Sequence, residues 1–229
     1  MKYNRKTLDV SAYLVVGPEN TLGRPVESVV EDAVRAGFTI VQIRSKVAGA
    51  KEMIDLCEKS AAVIERLGKS DSVSLVVDDR LDVVLACRER GIKVDGIHVG
   101  QSDIPVDVCR KYLGEDSIVG LSALTSELVD YVRTCDTANI DYFGAGPVHE
   151  TNSKLDCQRD ASGKVITVFD ELSALASSSP IPVVVGGGVK VEDIPALKKS
   201  GVDGFFVISA VAGAKNPYEA AKELVEAWK

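Results

Sequence analysis

Short runs of β-branched and other apolar residues alternate along this chain with longer stretches of helical period. That alternation predicts βα units wound around a parallel sheet. Strands are expected over residues 13–16, 40–44, 74–77, 96–99, 118–121, 142–145, 182–185 and 204–208. The stretches between them carry helix signals: Pro25 and Pro105 near helix starts, Ser126 as an N-cap before Glu127, and Pro217 opening a last amphipathic helix to Trp228. Eight strands with eight helices make the count of a TIM (β/α)8 barrel, with residues 1–229 as one α/β domain; a doubly wound open sheet is the main alternative. One connection breaks the rhythm. The polar segment 147–164, before a helix expected from about Val165, is too long for an ordinary βα turn. It could fold over a site, and disorder or a short hairpin at its tip is also compatible with the sequence.

Composition narrows the picture. A length of 229 residues suits one barrel, and 45% hydrophobic with 27% charged residues excludes a disordered chain. The net charge of -7 argues against nucleic acid or an anionic membrane surface as a partner, so any basic cluster must be local. The N-terminal basic residues precede an apolar run that reads as a first strand and is too short for a leader or a membrane span. The expectation is a cytoplasmic protein acting on small molecules; a homo-oligomer is compatible with the fold class. Cys57, Cys87, Cys109, Cys135 and Cys157 form no C-x-x-C pair and read as reduced structural thiols. Two histidines exclude a multi-histidine metal centre.

In such a barrel, chemistry gathers where strands end. The second strand ends with Gln42, Arg44 and Lys46 on one face of the chain, two cations and an amide. The third ends in Asp78 and Asp79, and Asp103 follows the fourth. Asp79 and Asp103 could share a hard divalent ion whose shell is completed by water and phosphate; capping of the next helix is the alternative for each, but together, beside the basic strand end, they favour an ion-bridged anion. Ser122 ends the fifth strand without a nucleophile-elbow pattern and suits hydrogen bonding. Thr151, Asn152, Ser153 and Lys154 could grip a phosphate oxygen. Gly186, Gly187 and Gly188 after the seventh strand, with Ile208 and Ser209 after the eighth, stand where barrels hold phosphate on backbone N–H groups and a short helix. His98 reads as a packed, hydrogen-bonded side chain, and His149 as an outside candidate for proton transfer.

Taken in order, Gln42, Arg44 and Lys46, then Asp78-Asp79-Arg80, Gly96 to Gln101 with Asp103, Gly120 with Ser122, Gly144, Gly146 and Pro147 with Thr151, Ser153 and Lys154, Gly187-Gly188 and Ile208-Ser209 resemble the thiamine phosphate synthase family over nearly the whole chain. The resemblance implies a magnesium-dependent transferase that joins 4-amino-2-methyl-5-hydroxymethylpyrimidine diphosphate to 4-methyl-5-hydroxyethylthiazole phosphate. The products would be thiamine phosphate and diphosphate. It further implies that Gln42, Arg44, Lys46, Asp78, Ser122 and Lys154 hold the pyrimidine diphosphate, with Arg44, Lys46, Ser122 and Lys154 catalytic. Asp79 and Asp103 would bind magnesium, and Thr151, Asn152, Ser153, Gly187, Gly188, Ile208 and Ser209 would surround the thiazole phosphate. The chain departs from the family pattern at Asp78, where asparagine is usual, at His149-Glu150 and Ser153 in the long loop, and at Gly186, where an aliphatic residue is usual. A thiazole tautomerase-like barrel is the nearest rival, and a barrel that binds a phosphate compound without turnover is another; the intact cations and metal aspartates argue against the first.

Overall fold

The computed structural model describes residues 2–124, 126–150 and 159–229. Eight parallel strands close into a barrel in sequence order: β1 (Ala12–Val16), β2 (Ile40–Ile43), β3 (Ser74–Asp78), β4 (Gly96–Val99), β5 (Ile118–Ser122), β6 (Tyr142–Ala145), β7 (Val183–Gly186) and β8 (Gly204–Val207). Every expected strand is present, each end within one residue. The ring is shut by β1 against β8, with Ala12 opposite Phe205 and Leu14 opposite Val207.

Side chains alternate between two cores, as a pleated strand requires. Leu14, Val41, Leu75 and Ile97 point outward into the layer shared with the helices, whereas Tyr13, Val15, Ile40, Val76, Ile118, Tyr142 and Val184 fill the barrel interior. The N-terminal end of the barrel is fastened by a repeated device. Asp95, Asp141 and Asp203 each stand one residue before a strand and accept a backbone N–H from one of the first two residues of the preceding one, namely Leu75, Val119 and Val183.

The outer helices are α1 (Val26–Ala36), α2 (Ala50–Arg66), α3 (Leu81–Glu89), α4 (Val106–Leu113), α5 (Leu128–Thr134), α6 (Leu172–Ser178), α7 (Ile194–Ser200), α8 (Ser209–Ala212) and α9 (Pro217–Trp228). Pro25 and Pro105 occupy N-cap positions and Pro217 opens α9, as expected. Three expectations need correction. Helix α5 begins at Leu128 with Glu127 at the N-cap, so Ser126 does not cap it. Helix α6 begins at Leu172, behind a 3-10 turn over Phe169–Glu171, because Val165 is taken up in an antiparallel bridge with Arg159. Residues 159–165 of the long β6–α6 connection therefore form a small hairpin. Finally, α8 is a single-turn insertion after β8, so the described residues hold nine α-helices. Cys57, Cys87, Cys109 and Cys135 are free thiols, and Cys157 lies outside the described residues.

Candidate active site at the barrel mouth

Inward positions at the C-terminal strand ends enclose a cavity of about 350 Å³. Of the residues singled out from sequence, Gln42, Arg44, Lys46, Asp78, Asp79, Asp103, Ser122, Gly187 and Ile208 line it. Gly188 and Ser209 are not among the lining residues; Gly188 lies at the glycine turn and Ser209 opens α8. Thr151, Asn152, Ser153 and Lys154 lie outside the described residues.

The charged side of the mouth comes from β2, β3 and the loop after β4. Arg44 Nε stands 3.2 Å and Lys46 Nζ 3.3 Å from one oxygen of Asp78, and Lys46 Nζ is 2.5 Å from Asp79. Glu19, from the loop after β1, holds this strand end in place by accepting from the Ser45 hydroxyl at 2.7 Å and the Lys46 amide at 3.0 Å. Burial, then the adjacent Asp79 charge, push the Asp78 carboxyl up to about 7 in spite of both cations. Asp79 experiences burial too, yet the Lys46 ammonium keeps it below the usual carboxylate range.

Neither aspartate site is a helix cap. Arg80 is the N-cap of α3, which has no side-chain cap, and Asp103 accepts from the Gly100 amide at 2.8 Å, within its own loop. Asp79 holds a φ of 60°, a left-handed conformation that is costly for a residue with a side chain and clusters at functional sites. The Asp79 and Asp103 carboxyls are in hydrogen-bonding contact, and burial followed by that contact raises Asp103. Two such groups stay together only with a proton or a cation between them. Their all-oxygen donor set fits a hard divalent ion. Among the described residues no group of three or more His, Cys, Asp or Glu could hold a metal. Most of such an ion's shell would then come from water and ligand phosphate, the manner of magnesium.

Beneath the charged rim, a buried hydrogen-bond chain crosses the barrel. The Gln42 amide donates to the Tyr13 hydroxyl at 2.6 Å, and the Tyr13 and Tyr142 hydroxyls are 2.8 Å apart. Tyr142 continues to His98 Nδ1 at 3.1 Å, and His98 Nε2 reaches Ser122 Oγ at 3.0 Å. Because Tyr13 already accepts from Gln42, its single proton points to Tyr142; that of Tyr142 then points to Nδ1, leaving His98 to donate from Nε2 to the serine. Burial drives both tyrosine pKa values upward, so neither ionises at neutral pH. Ser122 is thus a fixed hydrogen-bonding group at the mouth, and His98 is the packed histidine expected. Gln101 braces the same strand end by donating to the Ser122 carbonyl and the Tyr131 hydroxyl.

Across the mouth, Gly187 and Gly188 adopt φ of 86° and 79°, which favours glycine. The β6 loop is tied to this turn through the Val148 and His149 amides, which donate to Gly187 O. His149 is not poised over the cavity. Its Nε2 meets Asp193 at 2.9 Å and its ring stacks on Phe169, which makes it a fastening between two loops. Glu19, Tyr13 and Tyr142 escaped the sequence reading, as did Phe206, the aromatic residue of β8 on the cavity wall. A tyrosine at an inward strand position, where its hydroxyl must find a partner, was the only available signal for Tyr13 and Tyr142.

Cations paired with carboxylates on one side and a glycine turn on the other suit a ligand that is itself strongly anionic. This places the chain among the barrel enzymes that handle phosphorylated small molecules. The model of one family, described as thiamine monophosphate synthase, matches residues 12–211, and the chain belongs to that family. It is 36% identical over 222 residues to thiamine-phosphate synthase of Natronomonas pharaonis, covering 96% of each chain. It is 32% identical over 221 residues to the protein of the same name from Clostridium tetani, covering 96% of this chain and 97% of that one. Thiamine phosphate pyrophosphorylase from Pyrococcus furiosus has a similar structure, with TM-score 0.77, 28% identity and coverage of 98% of this chain and 96% of that one.

Proposed function

We infer that this enzyme joins 4-amino-2-methyl-5-hydroxymethylpyrimidine diphosphate to 4-methyl-5-hydroxyethylthiazole phosphate, giving thiamine phosphate and diphosphate. The observation that carries the reading is the convergence of Arg44 and Lys46 on the aspartates of β3 at the cavity rim. A tautomerase that only moves protons has no need of such a cluster. The bond between the pyrimidine methylene carbon and the diphosphate oxygen breaks, and a bond from the thiazole nitrogen to that carbon forms. Arg44 and Lys46 would hold the departing diphosphate, each charge-assisted hydrogen bond contributing about 1.5–3 kcal/mol where it strengthens in the transition state. Magnesium held by Asp79 and Asp103 would supply further neutralisation of that leaving group.

Ser122, oriented by His98, would bond the pyrimidine diphosphate together with Gln42 and Lys154. Asp78 enters this account through Arg44 and Lys46, whose positions it fixes, rather than by touching diphosphate itself. Gly187, Gly188, Ile208 and Ser209 would hold the thiazole phosphate together with Thr151, Asn152 and Ser153. No protein nucleophile is required, because the electron-rich aminopyrimidine delocalises charge at the methylene carbon. The same reading carries a cytoplasmic location, small-molecule substrates and no nucleic-acid or membrane partner; among the described residues no helix is long and apolar enough to cross a membrane.

The test is direct. Purified protein with magnesium and both substrates should release thiamine phosphate and diphosphate in equal amounts, and Asp78→Asn should do the same. Absence of product from both proteins would overturn the assignment.

A further inference from the structure

Phe206 contributes a large apolar ring to the lining of the mouth, and the reaction described above leaves it without a role. The β7–β8 register places it directly beside Gly186. Paired residues of neighbouring strands share a face, and both residues line the cavity. The ring is tilted at 60° against Tyr13, with 6.3 Å between centroids, and packs on the interior cluster that includes Val184. Phe206 is nevertheless only partly buried, so the cavity is open to it.

Gly186 is the reason the ring can lie there. A Cβ at that position would stand 2.3 Å from Phe206 Cδ2 and 2.4 Å from Cγ and Cε2, closer than real contacts allow. The ring therefore occupies the space that any side chain at 186 would take. Gly187 and Gly188 need glycine for their backbone conformation, whereas Gly186 continues β7 and shows no positive φ. Its lack of a side chain serves space alone. The apolar bulk that β7 does not supply is delivered from β8 instead.

We propose that Gly186 and Phe206 form a size-exchanged pair that builds the apolar wall for the thiazole ring, which makes Phe206 a specificity-determining residue for the second substrate. This rests on the reaction assigned above and adds a contact to it. The charged groups lie at the ends of β2 to β4, while Phe206 pairs with Gly186 and precedes Ile208 by two residues, next to the strand ends assigned to the thiazole phosphate. A planar heteroaromatic ring whose phosphate is held there comes against Phe206, and an aromatic contact of this kind changes affinity by about twofold to tenfold.

The experiment is steady-state kinetics on the full chain with magnesium, varying each substrate separately. The variants are Phe206→Leu, Phe206→Ala, Gly186→Ile and the double Gly186→Ile/Phe206→Ala. Phe206→Ala should raise KM for the thiazole phosphate about tenfold and leave KM for the pyrimidine diphosphate within twofold, with Phe206→Leu intermediate. Gly186→Ile alone should collapse activity or folding. The double variant, which restores bulk from β7, should fold and bring the thiazole KM back within about threefold of wild type. A thiazole KM that Phe206→Ala leaves unchanged, a parallel rise in both KM values, or a double variant no better than Gly186→Ile would each overturn the proposal. A wild type that forms no product overturns the assigned reaction and the inference with it; normal turnover with an indifferent Phe206→Ala overturns the inference alone.

Discussion

Tyr142→Phe removes one oxygen atom from the barrel interior and tests whether the polar chain beneath the site is a connected unit. Tyr13 and Tyr142 are 1% and 0% exposed, so water cannot replace what is lost. Without the Tyr142 hydroxyl, the Tyr13 proton has no acceptor at 2.8 Å and His98 Nδ1 has no donor at 3.1 Å. Leaving a buried polar group unsatisfied costs about 1–3 kcal/mol; the Tyr13 hydroxyl becomes such a group, whereas part-buried His98 faces the cavity, so the expected loss is roughly 1–3 kcal/mol. The ring itself stays packed, so no cavity term beyond one oxygen is added. Reversible urea unfolding measures the loss, and a cycle with Tyr13→Phe apportions it. In a connected chain the double variant should lose at least about 0.5 kcal/mol less than the sum of the singles, because the second substitution removes one of the groups orphaned by the first. A loss under about 0.5 kcal/mol for Tyr142→Phe, or strict additivity in the cycle, would refute the chain as drawn. Turnover should also fall, since His98 no longer has its Nε2 proton directed at Ser122.

Other outcomes follow from the same geometry. Arg44→Ala and Asp79→Asn should each lower kcat/KM at least about 100-fold while shifting stability far less, and unchanged rates for both in a turnover assay would remove the proposed diphosphate site. For Asp78, the folded carboxyl titrates at about 7 against an ordinary 3.8. Between those values the folded protein keeps a proton that the unfolded chain has released, so wild-type stability falls as pH rises from about 4 to about 7. Asp78→Asn should flatten that part of the profile in metal-free urea titrations, and an identical slope in both proteins would contradict the buried environment. At the opposite end of the barrel, Asp141 bonds Arg5 at 2.7 Å and Arg110 at 2.8 Å with only 9% of its side chain exposed. Asp141→Asn should cost about 3–5 kcal/mol by leaving Arg110 buried and unbalanced, with the kinetic constants nearly unaffected.

The barrel was legible because its signal is periodic. Each strand is a short apolar run set between helix-forming stretches, and burial on both faces makes strands such as residues 182–185 read as apolar throughout. Boundaries were lost where local chemistry competes with the period. Residues after 158 carry turn formers and charges that favour a hairpin, so α6 starts later than its apolar positions suggest, and α8 is too short to announce itself by periodicity. The charged half of the site was legible for the converse reason: Gln42, Arg44 and Asp78 interrupt apolar strands where a polar group needs a purpose. Glu19 was hidden because its partners, Ser45 and Lys46, belong to the loop after another strand, and a single glutamate in a loop looks solvated.

The interior of the site left a different mark, in the residues that are missing bulk. A Cβ on Gly120 would stand 2.3 Å from Tyr142 Cζ and 2.6 Å from His98 Nδ1, and one on Gly144 would reach His98 Cε1 at 3.0 Å. With Gly186 beneath Phe206, three successive strands carry an inward glycine, and each is filled by a large ring from a nearby strand. In a close-packed interior such volumes must sum to a constant, so a glycine facing inward implies a large neighbour or a cavity. Read singly, Gly120, Gly144 and Gly186 look like turn residues or weak points in a sheet. Read together with the pleat, they point to the side of the barrel where side chains give way to ligand. The cavity lies where those rings stop filling the space, between the polar chain that ends at Ser122 and the apolar wall at Phe206. A sequence thus records its binding site twice, through the polar residues it places in apolar strands and through the side chains it withholds beside them.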